Sequence, residues 1–149
     1  MITYRDMIAL DIPVLVGLEK SIFPESPWSA AQFREELSGV PRTRKYVVAL
    51  EENELIGYAG IALAGDVADI HTLTVIPTHR RRGIASEMLR QLESWAMEKG
   101  IHAFMLEMRE GNAEAQPLYE KHGYSIVSRR DNYYAPGIHA LIMRKEVAT

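Results

Sequence analysis

Val75-Ile76-Pro77-Thr78-His79-Arg80-Arg81-Arg82-Gly83-Ile84-Ala85 stands between an apolar strand and the longest amphipathic stretch of the chain. Downstream, Ile84, Met88, Leu89, Leu92, Trp95 and Ala96 recur at helical spacing. Glu87, Arg90, Gln91, Glu93, Ser94 and Glu98 fill the opposite side. The pattern predicts a helix over Ile84 to Lys99, stopped by Gly100. Upstream, Val67 to Val75 reads as a strand. No Ser, Thr, Asp or Asn lies between Arg80 and Ala85 to cap the helix, and its first amide N–H groups need partners. Three arginines sit there in a chain of net charge −3. A phosphate-bearing ligand on the helix N-terminus would satisfy those groups, with Gly83 allowing close backbone approach. A solvated basic turn, capped by water or Thr78, fits the same residues. A Walker motif is excluded because no Gly-Lys-Ser/Thr follows, and a Rossmann fingerprint because it needs three spaced glycines.

Outward from this turn the elements alternate. Ile2 to Arg5 reads as a strand. Asp11 and Pro13 open a helix carrying Val14, Leu15, Leu18 and Ile22, which Pro24 ends. Ser29 with Gln32 forms a capping box for a second helix towards Leu37. Tyr46 to Leu50 and Leu55 to Leu63 are strands joined at Glu52 and Asn53. Past the long helix, Ala103 to Met108 is nearly continuous in apolar residues and predicts a central strand covered on both faces. Asn112 caps a helix ending near His122, and Gly123 stops it. Tyr124 to Arg129 and Ala140 to Arg144 complete the set. Antiparallel strands followed by a strand–helix–strand unit predict an α/β (α+β) fold: a mixed, mostly antiparallel sheet of about seven strands with helices on both faces.

The 149 residues are 47% hydrophobic and 25% charged, which suits one domain over residues 1–149. There is no cysteine, so disulfides, thiolate metal sites and a cysteine nucleophile are excluded and no metal is expected. A cytoplasmic location fits. Asp6, Asp11 and Glu19 interrupt Met1 to Phe23, so that segment is neither a signal peptide nor a membrane span. Bulk charge gives no reason for nucleic-acid binding.

Arg80-Arg81-Arg82-Gly83-Ile84-Ala85 resembles the Gln/Arg-x-x-Gly-x-Gly/Ala signature of the GNAT superfamily of N-acetyltransferases, and Leu73-Thr74-Val75-Ile76-Pro77 resembles its strand-to-loop approach. The resemblance extends over nearly the whole chain. It departs at Arg80, where glutamine is frequent, and at Ala85, which replaces a glycine. It implies acetyl-CoA as the acyl donor. The coenzyme's pyrophosphate would lie on the turn of Arg80, Arg81, Arg82, Gly83, Ile84 and Ala85. Its pantetheine arm and acetyl carbonyl would lie along Leu73, Thr74 and Val75.

Glu107 is the one acid in Phe104-Met105-Leu106-Glu107-Met108. An unpaired carboxylate buried there would be costly, and a shifted pKa is a common escape. Strand parity puts it with Ala103, Met105 and Arg109. The plain readings are a Glu107–Arg109 pair or a strand end that meets solvent. The resemblance instead makes Glu107 the general base that deprotonates the amine. Asn112 is a helix cap that the resemblance also brings to coenzyme A. Tyr119 is either core packing or, by resemblance, the proton donor to the departing thiolate. The stretch Leu106 to Tyr124 is similar to one branch, the ribosomal-protein alanine N-acetyltransferases (RimI). Pro27-Trp28-Ser29 and Arg129-Arg130 with Asn132-Tyr133-Tyr134 resemble loops of that branch flanking the acceptor, so Trp28, Tyr133 and Tyr134 become candidate substrate contacts. As packing residues they would be a tryptophan anchor and a tyrosine-bearing turn.

The resemblance thus implies acetylation of a protein or peptide N-terminus, that of a small-subunit ribosomal protein, without direct nucleic-acid or membrane contact. Transfer to lysine, a polyamine or another small amine is the neighbouring reading, and a non-catalytic acyl-CoA sensor the more distant one. His71, with Asp69 two residues before it on one face, could assist proton removal; it reads instead as a satisfied sheet histidine and stays outside the site.

Overall fold

The computed structural model describes residues 1–112 and 115–148. In chain order the strands are β1 (Ile2–Asp6), β2 (Arg44–Glu51), β3 (Glu54–Ala64), β4 (Val67–Val75), β5 (Ala103–Arg109), β6 (Ser125–Ala135) and β7 (Ile138–Glu146). The helices are α1 (Ile12–Ile22), α2 (Ala30–Leu37), α3 (Ile84–Glu98) and α4 (Ala115–Lys121). Sheet order is β1-β2-β3-β4-β5-β7-β6. Every neighbouring pair is antiparallel except β4 with β5, as the pattern predicts.

Local chemistry sets the helix starts. Ser29 accepts from Gln32 N at 3.2 Å, and Gln32 Oε1 accepts from Ser29 N at 2.8 Å, the expected capping box of α2. Asn112 Oδ1 accepts from Ala115 N at 3.0 Å and so caps α4. Ala113 and Glu114, which the sequence places in the first turn of this helix, lie outside the described residues.

Two cores flank the sheet. Met88, Leu89 and Leu92 of α3 are fully buried with Ile56, Ile61 and Phe104. Each such side chain contributes about 1.5–3 kcal/mol through burial. On the other face Leu15 and Phe33 pack against Tyr46, Val48 and Tyr58. Gly60 is required there, because a Cβ would overlap the Tyr46 ring lying across it.

Three expectations need correction. Glu93 faces the core: its carboxylate accepts from Tyr124 Oη at 2.6 Å and Lys145 Nζ at 2.9 Å, which offsets its desolvation. Strand β5 is covered on one face only: Phe104, Leu106 and Met108 are buried, whereas Glu107 is exposed. Strand β6 extends to Ala135, so Tyr133 and Tyr134 lie on a strand rather than in a loop. The β6–β7 register shifts between Arg130 and Ala135, where Asn132 adopts φ 55° and its Oδ1 accepts from Gly137 N at 2.7 Å.

Candidate active site

Strands β4 and β5 pair at Ala68↔Phe104, Asp69↔Met105 and Ile70↔Leu106. Each continues past the last pair, to Val75 and to Arg109, and there they part into a notch. The β3–β4 register shifts opposite Gly60 and Ile61, leaving His71 as an extra residue. Such a bulge increases local twist where the strands diverge. Beyond Ile70, β4 stays bonded to β3 but its other edge has no strand partner among the described residues.

That edge lines a cavity of about 540 Å³. Leu73, Thr74 and Val75 form one wall. Arg80, Arg81, Gly83, Ile84 and Ala85 form its basic end, while Asn112, Leu118, Tyr119 and Lys121 close the far side. Gly83 is the N-cap of α3 at φ 78°, and no side chain among the described residues caps the helix. Thr78, the alternative cap, bonds His79 Nδ1 at 2.9 Å instead. The first helical bond runs from Glu87 N to Gly83 O, so the N–H groups of Ile84, Ala85 and Ser86 have no intrahelical acceptor.

The three arginines diverge. Arg80 Nε donates to Val75 O at 3.2 Å, bracing the turn against β4. Arg81 faces the cavity at φ 64°. Arg82 is outside the cavity lining and pairs with Glu51 at 2.8 Å. Hydrogen bonds from Arg82 and then His79 hold the Glu51 carboxyl down at about 2.

Glu107 is on the uncovered face of β5, just past the parting of the strands. It is exposed, which removes the burial argument for it. Tyr134 Oη donates to Glu107 Oε1 at 3.2 Å. Burial pushes the Tyr134 phenol upward, and the Glu107 charge adds to it. Arg109 does not turn to Glu107: its guanidinium lies 5.0 Å over the Tyr134 ring and pairs with Glu25 of the α1–α2 connection.

Tyr119 is a packing residue that also borders the cavity. It is buried against Tyr124, ring centroids 5.8 Å apart, and it lines the cavity. Burial raises its phenol pKa, with Tyr134 adding to the effect, so the hydroxyl stays protonated. Trp28 is half-buried, 5.1 Å from Phe33 and 6.4 Å from Tyr46 and His71. Its backbone N–H donates to buried Glu19 at 2.8 Å, so it is a packing anchor beside the notch. Tyr133 is 49% exposed and meets Tyr134 edge-on at 5.2 Å.

Sequence reasoning set His71 aside, considered Arg109 only as a partner of Glu107, and passed over Glu36 and Glu25. His71 Nδ1 lies 2.9 Å from Glu36 Oε1. No local signal marks that pair, because 35 residues separate its members.

Residues 14–124 match the sequence pattern of the Acetyltransferase (GNAT) family. The chain is 35% identical over 151 residues to the N-alpha-acetyltransferase RimI of Mycobacterium tuberculosis, covering 97% of this chain and 92% of that protein. It is also 35% identical over 142 residues to an uncharacterized protein of Mycobacterium leprae; that match covers 91% of this chain and spans 38% of that longer protein. The crystal structure of the ribosomal-protein-S18-alanine N-acetyltransferase from Escherichia coli superposes with a TM-score of 0.86 at 24% identity, covering 100% of this chain and 96% of that one.

Proposed function

The chain belongs to the GNAT acetyltransferase family, and from that premise we propose that it acetylates the N-terminal α-amine of a protein, the acceptor being the N-terminal alanine of a small-subunit ribosomal protein. It is an N-acetyltransferase and acetyl-CoA is its acyl donor. The cavity fits that donor. The uncapped start of α3 offers N–H groups to a pyrophosphate. Nothing lies within 4 Å of where a Gly83 Cβ would be, so phosphate oxygens can reach the backbone. The open edge of β4 offers amide groups to the pantetheine arm, and Leu73 and Leu118 offer it apolar walls.

The observation that carries the acceptor reading is Glu107, exposed at the parting of β4 and β5 and held by Tyr134. We assign Glu107 as the base, Tyr119 as proton donor to the leaving thiolate, Asn112 as a coenzyme contact, and Trp28, Tyr133 and Tyr134 as the borders of the acceptor site. An α-amine has a pKa near ~8 and a lysine near ~10.4, so delivering the neutral amine at pH 7 costs about 1 kcal/mol for the former and over ~4 kcal/mol for the latter. Carboxylate assistance is matched to the smaller demand. The 35% identity to a protein named an N-alpha-acetyltransferase supports the same choice.

One domain over residues 1–149 carries this activity. No helix among the described residues is long and apolar enough to cross a membrane, and the absence of cysteine suits a reducing cytoplasm.

The test is acetyl-CoA with a peptide that has both a free N-terminal alanine and an internal lysine, read by tandem mass spectrometry. Transfer to the N-terminus is expected, with alanyl-arginyl peptides the best substrates. Acetyl groups mainly on lysine would overturn the acceptor assignment.

A further inference from the structure

We infer that His71, oriented by Glu36, is a second proton acceptor for the incoming amine, working beside Glu107. The inference rests on the amine-acetylating reading above.

The position comes from the sheet. Ile70 and Leu106 are the last paired residues of β4 and β5, and both are buried in the α3 core. His71 and Glu107 follow them directly. Glu107 alternates with buried Leu106 and Met108, which puts it on the face opposite α3. His71 is on that same face, since its ring meets Trp28 at 6.4 Å and its Nδ1 meets Glu36 of α2. The two side chains therefore flank the point where the strands part.

The chemistry comes from Glu36. Its Oε1 accepts from Arg44 Nε at 2.7 Å and from Tyr46 Oη at 2.9 Å, and it lies 2.9 Å from His71 Nδ1. Desolvation pushes this carboxyl up, but the Tyr46 hydrogen bond, with His71 and Arg44, outweighs it and leaves it below its ordinary value. An ionised carboxylate only accepts hydrogen bonds, so Nδ1 carries the hydrogen and donates. That leaves the lone pair on Nε2. Nε2 has no hydrogen-bond partner among the described residues, and the side chain is 28% exposed. A base held in one tautomer by a carboxylate is the arrangement general-base catalysis needs.

Proton balance gives it a task. The acceptor enters as an ammonium and leaves as an amide, so its nitrogen loses two protons. The N–C bond forms as the C–S bond breaks. The thiolate departs with the bonding pair and takes up one proton, and the other proton reaches solvent. Glu107 and His71 are two acceptors at the right place. On protonation, imidazolium gains the Glu36 carboxylate as its counter-charge. Tyr46 Oη of β2 lies 3.3 Å from His71 Nδ1, Arg44 of β2 is already paired with Glu36, and Asp69 and Glu107 are the charged residues next along β4 and β5.

The experiment compares His71→Gln with wild type for acetylation of an alanyl peptide across pH 6–10. Gln retains a donor towards Glu36. A kcat loss of about 10²-fold at pH 7 is expected, with acetyl-CoA affinity unchanged and the gap closing above pH ~9, where the α-amine is neutral. Equal kcat and equal pH profiles would overturn the inference. Should the variant not fold, ¹⁵N-histidine NMR of the native protein decides. An Nδ1–H tautomer with bare Nε2 is expected, and an Nε2–H tautomer overturns the role. If the wild-type enzyme modifies lysine and not the N-terminus, the acceptor reading fails while the tautomer measurement still tests His71.

Discussion

Tyr134 Oη donates to Glu107 Oε1 across 3.2 Å, and this contact joins the edge hairpin β6–β7 to the strand that ends at the notch. The same ring lies under Arg109, whose other partner is Glu25. Tyr134 and Arg109 thereby link β6, β5 and the α1–α2 connection beside Glu107. Tyr134→Phe should keep the ring under Arg109 and remove only the donor. We expect a turnover loss of about 10-fold or less, smaller than that of changing Glu107 itself, measured with saturating acetyl-CoA.

Glu107→Gln keeps the shape and removes the proton acceptor. Turnover at pH 7 should fall roughly 10²-fold, with acetyl-CoA binding intact by calorimetry. The loss should shrink as pH rises and free amine becomes abundant. Wild-type turnover in the variant would assign Glu107 to structure.

Tyr119→Phe should cost less. A thiol with pKa of about 8.5 is already a fair leaving group, so the donor contributes modestly. A drop of about 10-fold or less in kcat, without a change in acceptor KM, is expected. A large fall in melting temperature would instead assign the hydroxyl to packing.

Gly83→Val puts a β-branched side chain at φ 78°, a conformation that costs it about 1–2 kcal/mol. The new side chain also covers the N–H groups of the α3 start. Acetyl-CoA should raise the melting temperature of the wild-type protein by mass action and leave that of the variant unchanged. Calorimetric binding equal to wild type in a folded variant would remove the phosphate role of this turn.

Asp11 accepts from both Arg5 guanidinium nitrogens, at 2.9 and 2.8 Å, and from Ile8 N at 2.9 Å. Desolvation raises this carboxyl, but the Arg5 hydrogen bonds prevail and hold it below its ordinary value. A depressed carboxylate contributes stability above its unfolded pKa, near ~3.9, and loses it as pH falls through the folded value. Asp11→Asn should therefore cost about 1–2 kcal/mol at pH 7, discounted because Arg5 is 42% exposed. Urea melts of both proteins should converge at the acid end, below pH ~4.

Where a residue's partners are within a turn of the chain, the sequence was sufficient. It determined the strand–turn–helix around Gly83, the capping box of Ser29 and Gln32, the Asn112 cap and the element order, because hydrogen bonds and periodicity over three or four residues are local. It also determined that Glu107 shares a face with Met105, since strand parity is a property of the backbone. Parity names a face but not what covers it. That Glu107 is exposed, that Glu93 is buried beneath Tyr124 and Lys145, that Arg82 turns away to Glu51 and that His71 takes Glu36 as its partner were decided only by tertiary structure. The last three depend on groups 31 to 52 residues apart, and the first on the parting of β4 from β5; sheet order brings these groups together, and a single sequence carries no short-range signal for it.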